Sequence, residues 1–457
     1  MPALTQLFQR TKSIATPFIA NQLRNIRLPN HLIKLLFIHH QKNQNMNKHH
    51  LGKLGLLLTI TLAFTACKKD NNEPETEQPG EVNKEQKYVR VLVSDELSSQ
   101  LSLIDPFNAK TIAITAKYPL ANLYGTASGR YAAVLYQNQN LVEIFDSGLA
   151  SHVDHVDEVG NAKWAAITAT GLKPTHFKSK GTESLIFNDN DGTLSVGYDA
   201  DFNTAGAKFK TVNAGLLPHH GAMAQFSNGN YAVTVAPSSG ASPNRVQIIN
   251  KNGNLVQAST LEIGAIHGNA SDGNVAVFGG FTNAAATAGG VLVVSASGEQ
   301  KLIANPDGFG AFRLANVYYA ESAKKFIGFV ATKGAYLIDV TGNKITPIYT
   351  GSDAFQCKVD YAGKNLLVLT LDGKLRIYDL PSGTLKKEGS VISSVASADT
   401  YKPVLESTTK FAYIAVPSSG EVYQVDLADF NKVIKHKVSS KPVRLTLFGF
   451  ESSAGHE

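Results

Sequence analysis

The chain has 457 residues, 43% of them hydrophobic and 18% charged, with a formal net charge of +6. That excess sits at the start: residues 1–66 carry eight Lys/Arg and no Asp or Glu, leaving 35 basic against 37 acidic side chains in residues 67–457. A near-neutral body excludes a broad nucleic-acid footprint, which needs a basic face.

From Met46, MNKHHLGK reads as a basic n-region and LGLLLTITLAF as a short apolar h-region, and FTAC ends at Cys67. The apolar run is a signal h-region, since a spanning helix needs roughly 20 residues. The cysteine at the cleavage point makes the segment resemble a bacterial lipoprotein signal, with Phe64 in the usual place of leucine. An ordinary secretory signal is the alternative. Met46 is the expected start, with 1–45 an upstream extension, 46–66 the signal peptide and 67–86 a tether. The tether is polar and charged and lacks core-forming residues, so disorder is expected. An acylated Cys67 would anchor the chain to a membrane. Acidic residues close behind it resemble the export signal of surface lipoproteins in Bacteroidetes; an outer-membrane anchor facing the periplasm is the other reading. Cys357 is then the one remaining cysteine, which excludes an intramolecular disulfide and reads as a small buried apolar residue.

Residues 87–457 are expected to form one all-β domain. Pairs of short apolar runs recur at 88–105, 129–146, 183–199, 230–250, 274–295, 325–340, 364–380 and 411–427. Each reads strand–turn–strand, with turn chemistry explicit in DNDG, TKG, LDG and SSG. Their spacing of about 45 residues is the period of β-propeller blades. Eight hairpins predict eight blades, or seven if the terminal strands share a blade. Each hairpin should be the middle pair of a four-stranded blade, with the segment before it lining the central channel.

In three consecutive inner segments that place holds histidine: His176, His219/His220 and His267. The steps of 44 and 47 residues, from His176 to His220 and from His220 to His267, equal the blade pitch, so the side chains should converge at one channel mouth. A lone strand histidine is ordinarily a hydrogen-bonded core residue. Three at blade pitch suit zinc, which takes three or four N/O/S ligands at about 2.0–2.3 Å. In an extended backbone His219 and His220 point to opposite faces, and His220, followed by glycine, is the favoured ligand. SHVDHVDEVGN (151–161) adds His152, Asp154, His155, Asp157 and Glu158. Without apolar periodicity it reads as a loop, either a donor-rich one near the ring site or a solvated acidic one. His436 and His456 read as surface residues, and Asp189 and Asp191 of DNDG as turn formers.

At these residues the sequence resembles the AztD-type zinc metallochaperones, periplasmic β-propellers that partner zinc-specific ABC importers. The resembling pieces are HVDHVD (152–157), KPTHF (173–177), IFNDNDG (186–192), PHHG (218–221) and IHG (266–268). LSLIDPFNAK (101–110) and ANLYGTASGRYAAV (121–134) fit the first blades. The resemblance implies His155, His176, His220 and His267 as Zn2+ ligands, with His152 and His219 secondary and HVDH a second acquisition site. It implies no catalysis, and transfer of the ion to an importer's solute-binding protein by a monomeric carrier. Two cysteines common in the family are absent, their places taken by Ile263 and the Gly279–Gly280 region; the lipid anchor is also atypical. Two other functions compete. One is a metal-free interaction propeller. The other is a lactonase-like metal-dependent hydrolase using Asp189 or Asp191, although no nucleophile motif such as Gly-x-Ser-x-Gly is present.

Overall fold

The computed structural model describes residues 88–151 and 156–449. The leader, Cys67 and the tether, together with His152, Asp154, His155 and His456, lie outside the described residues.

Eight four-stranded antiparallel sheets form an eight-bladed β-propeller. All eight expected hairpins are the middle pairs of these sheets. The middle strands are near-continuous apolar runs because both of their faces pack against neighbouring blades. Tyr131–Tyr136, for example, is buried at every position, whereas the outermost strand Lys110–Thr115 is almost wholly exposed. Eight apolar clusters result, one in each gap between adjacent blades. Burying one large apolar side chain contributes roughly 1.5–3 kcal/mol, and each cluster holds ten or more buried residues.

The chain closes the ring on itself. Pro442–Phe448 is the innermost strand of the first blade and pairs with Arg90–Asp95, matching Arg90 with Phe448 and Leu92 with Thr446. The terminal strands therefore do share a blade, yet the count stays at eight. Innermost strands of the next seven blades are Asn122–Gly125, Pro174–Lys180, Met223–Gln225, Ile266–Ser271, Asn316–Ala320, Ala354–Val359 and Val404–Ser407. Because strands alternate in direction, the inner strands begin on one face, termed the mouth, and the turns between second and third strands lie there too. Connections between third and fourth strands lie at the other face, the base.

This geometry corrects two expectations. The segment around Asp157 is not a loop beside the mouth. Its flanks are a small ribbon, Leu149–Ser151 paired with Val156–Glu158, inserted between the third and fourth strands of blade two. The ribbon therefore springs from the base, where Glu158 accepts a 2.8 Å hydrogen bond from Arg90, at the strand end paired with Phe448. His436 is not a surface residue: it is 5% exposed and its ring pairs with Gln424 at 2.9 Å. Cys357 is buried between blades six and seven, and burial pushes its thiol far above the usual range, as for an inert apolar residue.

Candidate metal centre

The histidines of blades three, four and five meet at the mouth. One nitrogen from each of His176, His220 and His267 lies within 4.8 Å of the others. The Nε2 atoms of His176 and His220 are 3.2 Å apart. Two nitrogens bound tetrahedrally to one zinc ion are separated by about 3.3 Å, given bonds near 2.05 Å, so the triad fits a zinc-sized ion with small adjustments.

Local backbone irregularities aim these rings. In blade three, Pro174 pairs with Asn188 and His176 with Phe187, so Thr175 is an extra residue. In blade five, Ile266 pairs with Gly280 and Asn269 with Phe278, which sets His267 and Gly268 against Gly279 alone. Both are β-bulges, which bend a strand and redirect its side chains. Gly268 adopts φ +74, and a Cβ there would stand 2.2 Å from the Ala315 carbonyl; only glycine lets that carbonyl come close. His220 lies in a bend ahead of Met223–Gln225 rather than in the strand. The next residue, Gly221, brings the backbone against the ring of Phe187, where a Cβ would stand 2.1 Å away.

Hydrogen bonds fix the tautomers. His267 Nδ1–H donates to the Ala315 carbonyl at 2.9 Å, which leaves Nε2 as a lone pair. His220 Nδ1–H donates to Asp189 Oδ2 at 2.9 Å, with the same result. The His220 Nε2 then accepts from His176, so an ion held by both Nε2 atoms would replace that bond and require the other tautomer of His176. Asp189 is 2% exposed; its other oxygen accepts from Gly221 N at 3.4 Å, and Lys173 Nζ stands 3.9 Å away. A carboxylate behind a ligating histidine raises its basicity and holds its plane.

Burial, reinforced by repulsion from His220 and His267, depresses the His176 imidazole to about 3. Burial lowers His267 as well. Neutral imidazoles with free lone pairs are what a borderline-soft divalent ion requires. The His220 side chain is 44% exposed, so the cluster opens to solvent at the mouth.

The structure thus brings together His176, His220 and His267. It excludes His219: that ring is 2% exposed, pairs through Nδ1 with the Leu217 carbonyl at 2.6 Å and through Nε2 with Thr234 Oγ1 at 3.0 Å, and stacks edge-on to Phe187. With both nitrogens engaged, it pins the bend that presents His220. Asp157 is exposed on the base ribbon, away from the triad. His152, Asp154 and His155 fall outside the described residues. Asp191 is the expected turn former, accepting from Leu172 N, Thr193 N and Thr193 Oγ1. Asp189 is more than that. The signal was present in DNDG: two aspartates where the turn needs one.

The missing cysteines have a steric counterpart. A Cβ on Gly279 would lie 1.8 Å from the Leu314 carbonyl, so no side chain fits there, and one on Gly280 would meet Ile263 Cδ1 at 2.7 Å. Ile263 packs in the apolar cluster between blades four and five.

No family profile matches the sequence, and no curated protein matches it significantly. Solved structures do. The crystal structure of Citrobacter koseri AztD superposes with a TM-score of 0.71 at 19% identity, covering 80% of this chain and 100% of that one. Apo AztD from Citrobacter koseri gives 0.70 at 19% identity, covering 80% and 99%. The dihydro-heme d1 dehydrogenase NirN gives 0.55 at 13% identity, covering 78% and 74%. At these identities the similarity establishes a fold, and that fold is the eight-bladed propeller of AztD.

Proposed function

We propose that the protein is a zinc-binding metallochaperone of the cell envelope, not an enzyme. It takes up Zn2+ at the mouth and passes it to the solute-binding protein of an ABC importer. The observation that carries this reading is the convergence of three imidazoles from three blades, two with their Nδ1 hydrogens committed elsewhere. The sequence resemblance to AztD-type zinc metallochaperones and the shared fold support it. Anchoring through an acylated Cys67 at the outer membrane, facing the periplasm or the cell surface, belongs to the same proposal, as does a supplementary capture role for His152, Asp154 and His155.

Three protein ligands leave a fourth tetrahedral position. At an open mouth an incoming ligand of the acceptor can fill it, and the ion moves by stepwise exchange of imidazoles for acceptor ligands. The same open position suits a metal-activated water, the basis of the hydrolase alternative. That chemistry also needs a free general base. Asp189, which hydrogen-bonds to His220, is already committed to that imidazole and to Gly221 N.

The test is elemental analysis of protein purified without a polyhistidine tag, followed by zinc titration against a competing chelator. One zinc per chain is expected, lost in the combined His176→Ala, His220→Ala, His267→Ala variant with the fold retained. Unchanged affinity in that variant sinks the proposal. Metal-dependent turnover of a lactone or ester would favour the hydrolase instead.

A further inference from the structure

On the base side of the triad lies a cavity of about 760 Å³. Its upper wall includes Lys178, Asn269, Gln225, Tyr318, Lys358 and Glu406. Lys178 lies two residues beyond His176 on the same strand, and Asn269 two residues beyond His267. Alternation along a strand places Lys178 on the same side as His176, about 7 Å deeper. Its ammonium crosses from blade three to blade five and donates to the Asn269 carbonyl at 2.6 Å. A lysine side chain is thereby held beneath the three imidazoles.

The opposite side of the channel shows what is unusual here. Lys358 occupies the matching place in blade seven and is neutralised by Glu406 of blade eight at 2.5 Å. Lys178 has no such partner: among the described residues no carboxylate lies within ion-pair distance of it. Lys178 is half-buried, and a cation withdrawn from water without a counter-charge costs stability. The fold tolerates it directly under a set of side chains suited to a cation.

We propose that Lys178 is a positioning charge that weakens the triad's hold on a divalent ion and bars the ion from descending the channel. Ions then enter and leave through the mouth alone, and release to an acceptor is faster than three imidazoles by themselves would allow. The proposal rests on the reading of the triad as a zinc site. Repulsion between the ammonium and the ion falls with distance and scales with the ion's charge. That scaling separates a charge effect from a structural one. If Lys178 served only as a strut tying the His267 strand to the His176 strand, its loss would loosen the triad and weaken binding of any ion.

The experiment is chelator competition on the purified full chain, comparing wild type with Lys178→Met, Lys178→Gln and Lys178→Arg, using Zn2+ and Ag+ as probes. The expected result is about tenfold tighter Zn2+ binding in the Met and Gln variants, about threefold tighter Ag+ binding, and wild-type affinity in the Arg variant. Dissociation of Zn2+ into excess chelator should slow by a similar factor. Unchanged or weaker Zn2+ binding in both uncharged variants overturns the proposal, as does an equal gain for the two ions. The Gln variant preserves the test should the Met variant fail to fold. Wild-type protein that binds no zinc would instead overturn the reading of the triad, and this proposal with it.

Discussion

Blades three and seven have nearly the same inner strand. Pro174-Thr-His176-Phe-Lys178 and Ala354-Phe-Gln356-Cys-Lys358 each pair at the first residue, skip the second and resume at the third. Both then place a lysine on the channel two residues later. One blade contributes a candidate metal ligand and a cation with no carboxylate beside it among the described residues. The other contributes an amide and a salt-bridged one. The bulge, the strand and the lysine are thus properties of the propeller. The site depends on what the nearby blades supply: His220 of blade four and His267 of blade five for blade three, Glu406 of blade eight for blade seven.

The most severe way to break the difference is to make blade three resemble blade seven. His176→Gln keeps the bulge and a polar group but removes a lone pair of the right basicity. Zinc affinity should fall by more than about 100-fold, beyond the 10–100-fold typical of losing an outer-shell partner. Because the His176 side chain bonds to His220 and not to the backbone of the strand, the melting temperature should hardly move. Competition titration and thermal melting of one preparation check both parts.

The next largest effect should come from Asp189. Replacing it with asparagine leaves a carbonyl to accept the His220 Nδ1 hydrogen but removes the charge. Affinity should drop about tenfold, through loss of basicity at Nε2. Asp191→Asn, two residues away on the same turn, should leave affinity unchanged. Equal effects from the two would mean that the turn, not the carboxylate, orients His220.

That pair of aspartates also shows what the sequence could and could not reveal. Period alone located all eight hairpins, because a strand packed on both faces must be apolar along its length and its turns must carry Gly, Asp or Asn. Period also brought His176, His220 and His267 to one place, since the blade pitch fixes height on the channel. Local departures from regular structure were not legible. The bend at 219–220 sends His219 into the core for a reason other than strand alternation. The Ala315 carbonyl that orients His267 has no side-chain signature. The placement of the paired segments 149–151 and 156–158 at the base follows from strand direction within blade two, which a donor-rich string cannot encode. His436 looked exposed because its partner, Gln424, is on a different strand.

A smaller effect should appear in the pH dependence of stability without metal. In the folded chain His176 stays neutral down to about 3, whereas an unfolded histidine titrates near 6.5. The folded state therefore binds fewer protons than the unfolded state across that window, so this residue's contribution is fully favourable above about pH 6.5 and is lost as pH falls. Carboxylates confound the raw curve, since Asp146, with Arg130, Gly148 N and Asn203 around it, has its acid range depressed. The difference between wild type and His176→Gln isolates the imidazole. Between pH 7 and pH 5 wild type should lose about 1–2 kcal/mol relative to the variant, read from denaturant melts in the presence of a chelator. A difference independent of pH would mean that His176 is not held neutral by its surroundings.

The mildest change is the reciprocal one, Gln356→His, which gives blade seven the ligand of blade three. A histidine at a bulged inner strand is then present twice, while zinc still needs three or four donors around one point. The inner strand of blade six holds Asn316 and Tyr318 near that level, and Glu406 of blade eight is tied to Lys358. One new imidazole therefore finds no second and third, and the zinc content should stay at that of the wild type, with affinity unaltered. A second ion bound per chain would show that a bulged histidine recruits donors by itself, and that convergence of three blades is not what makes the mouth a metal centre. Unchanged stoichiometry, set beside the loss in His176→Gln, would locate the cause in the neighbours: the same residue type on the same backbone chelates where two other imidazoles already wait and stays an ordinary channel side chain where they do not.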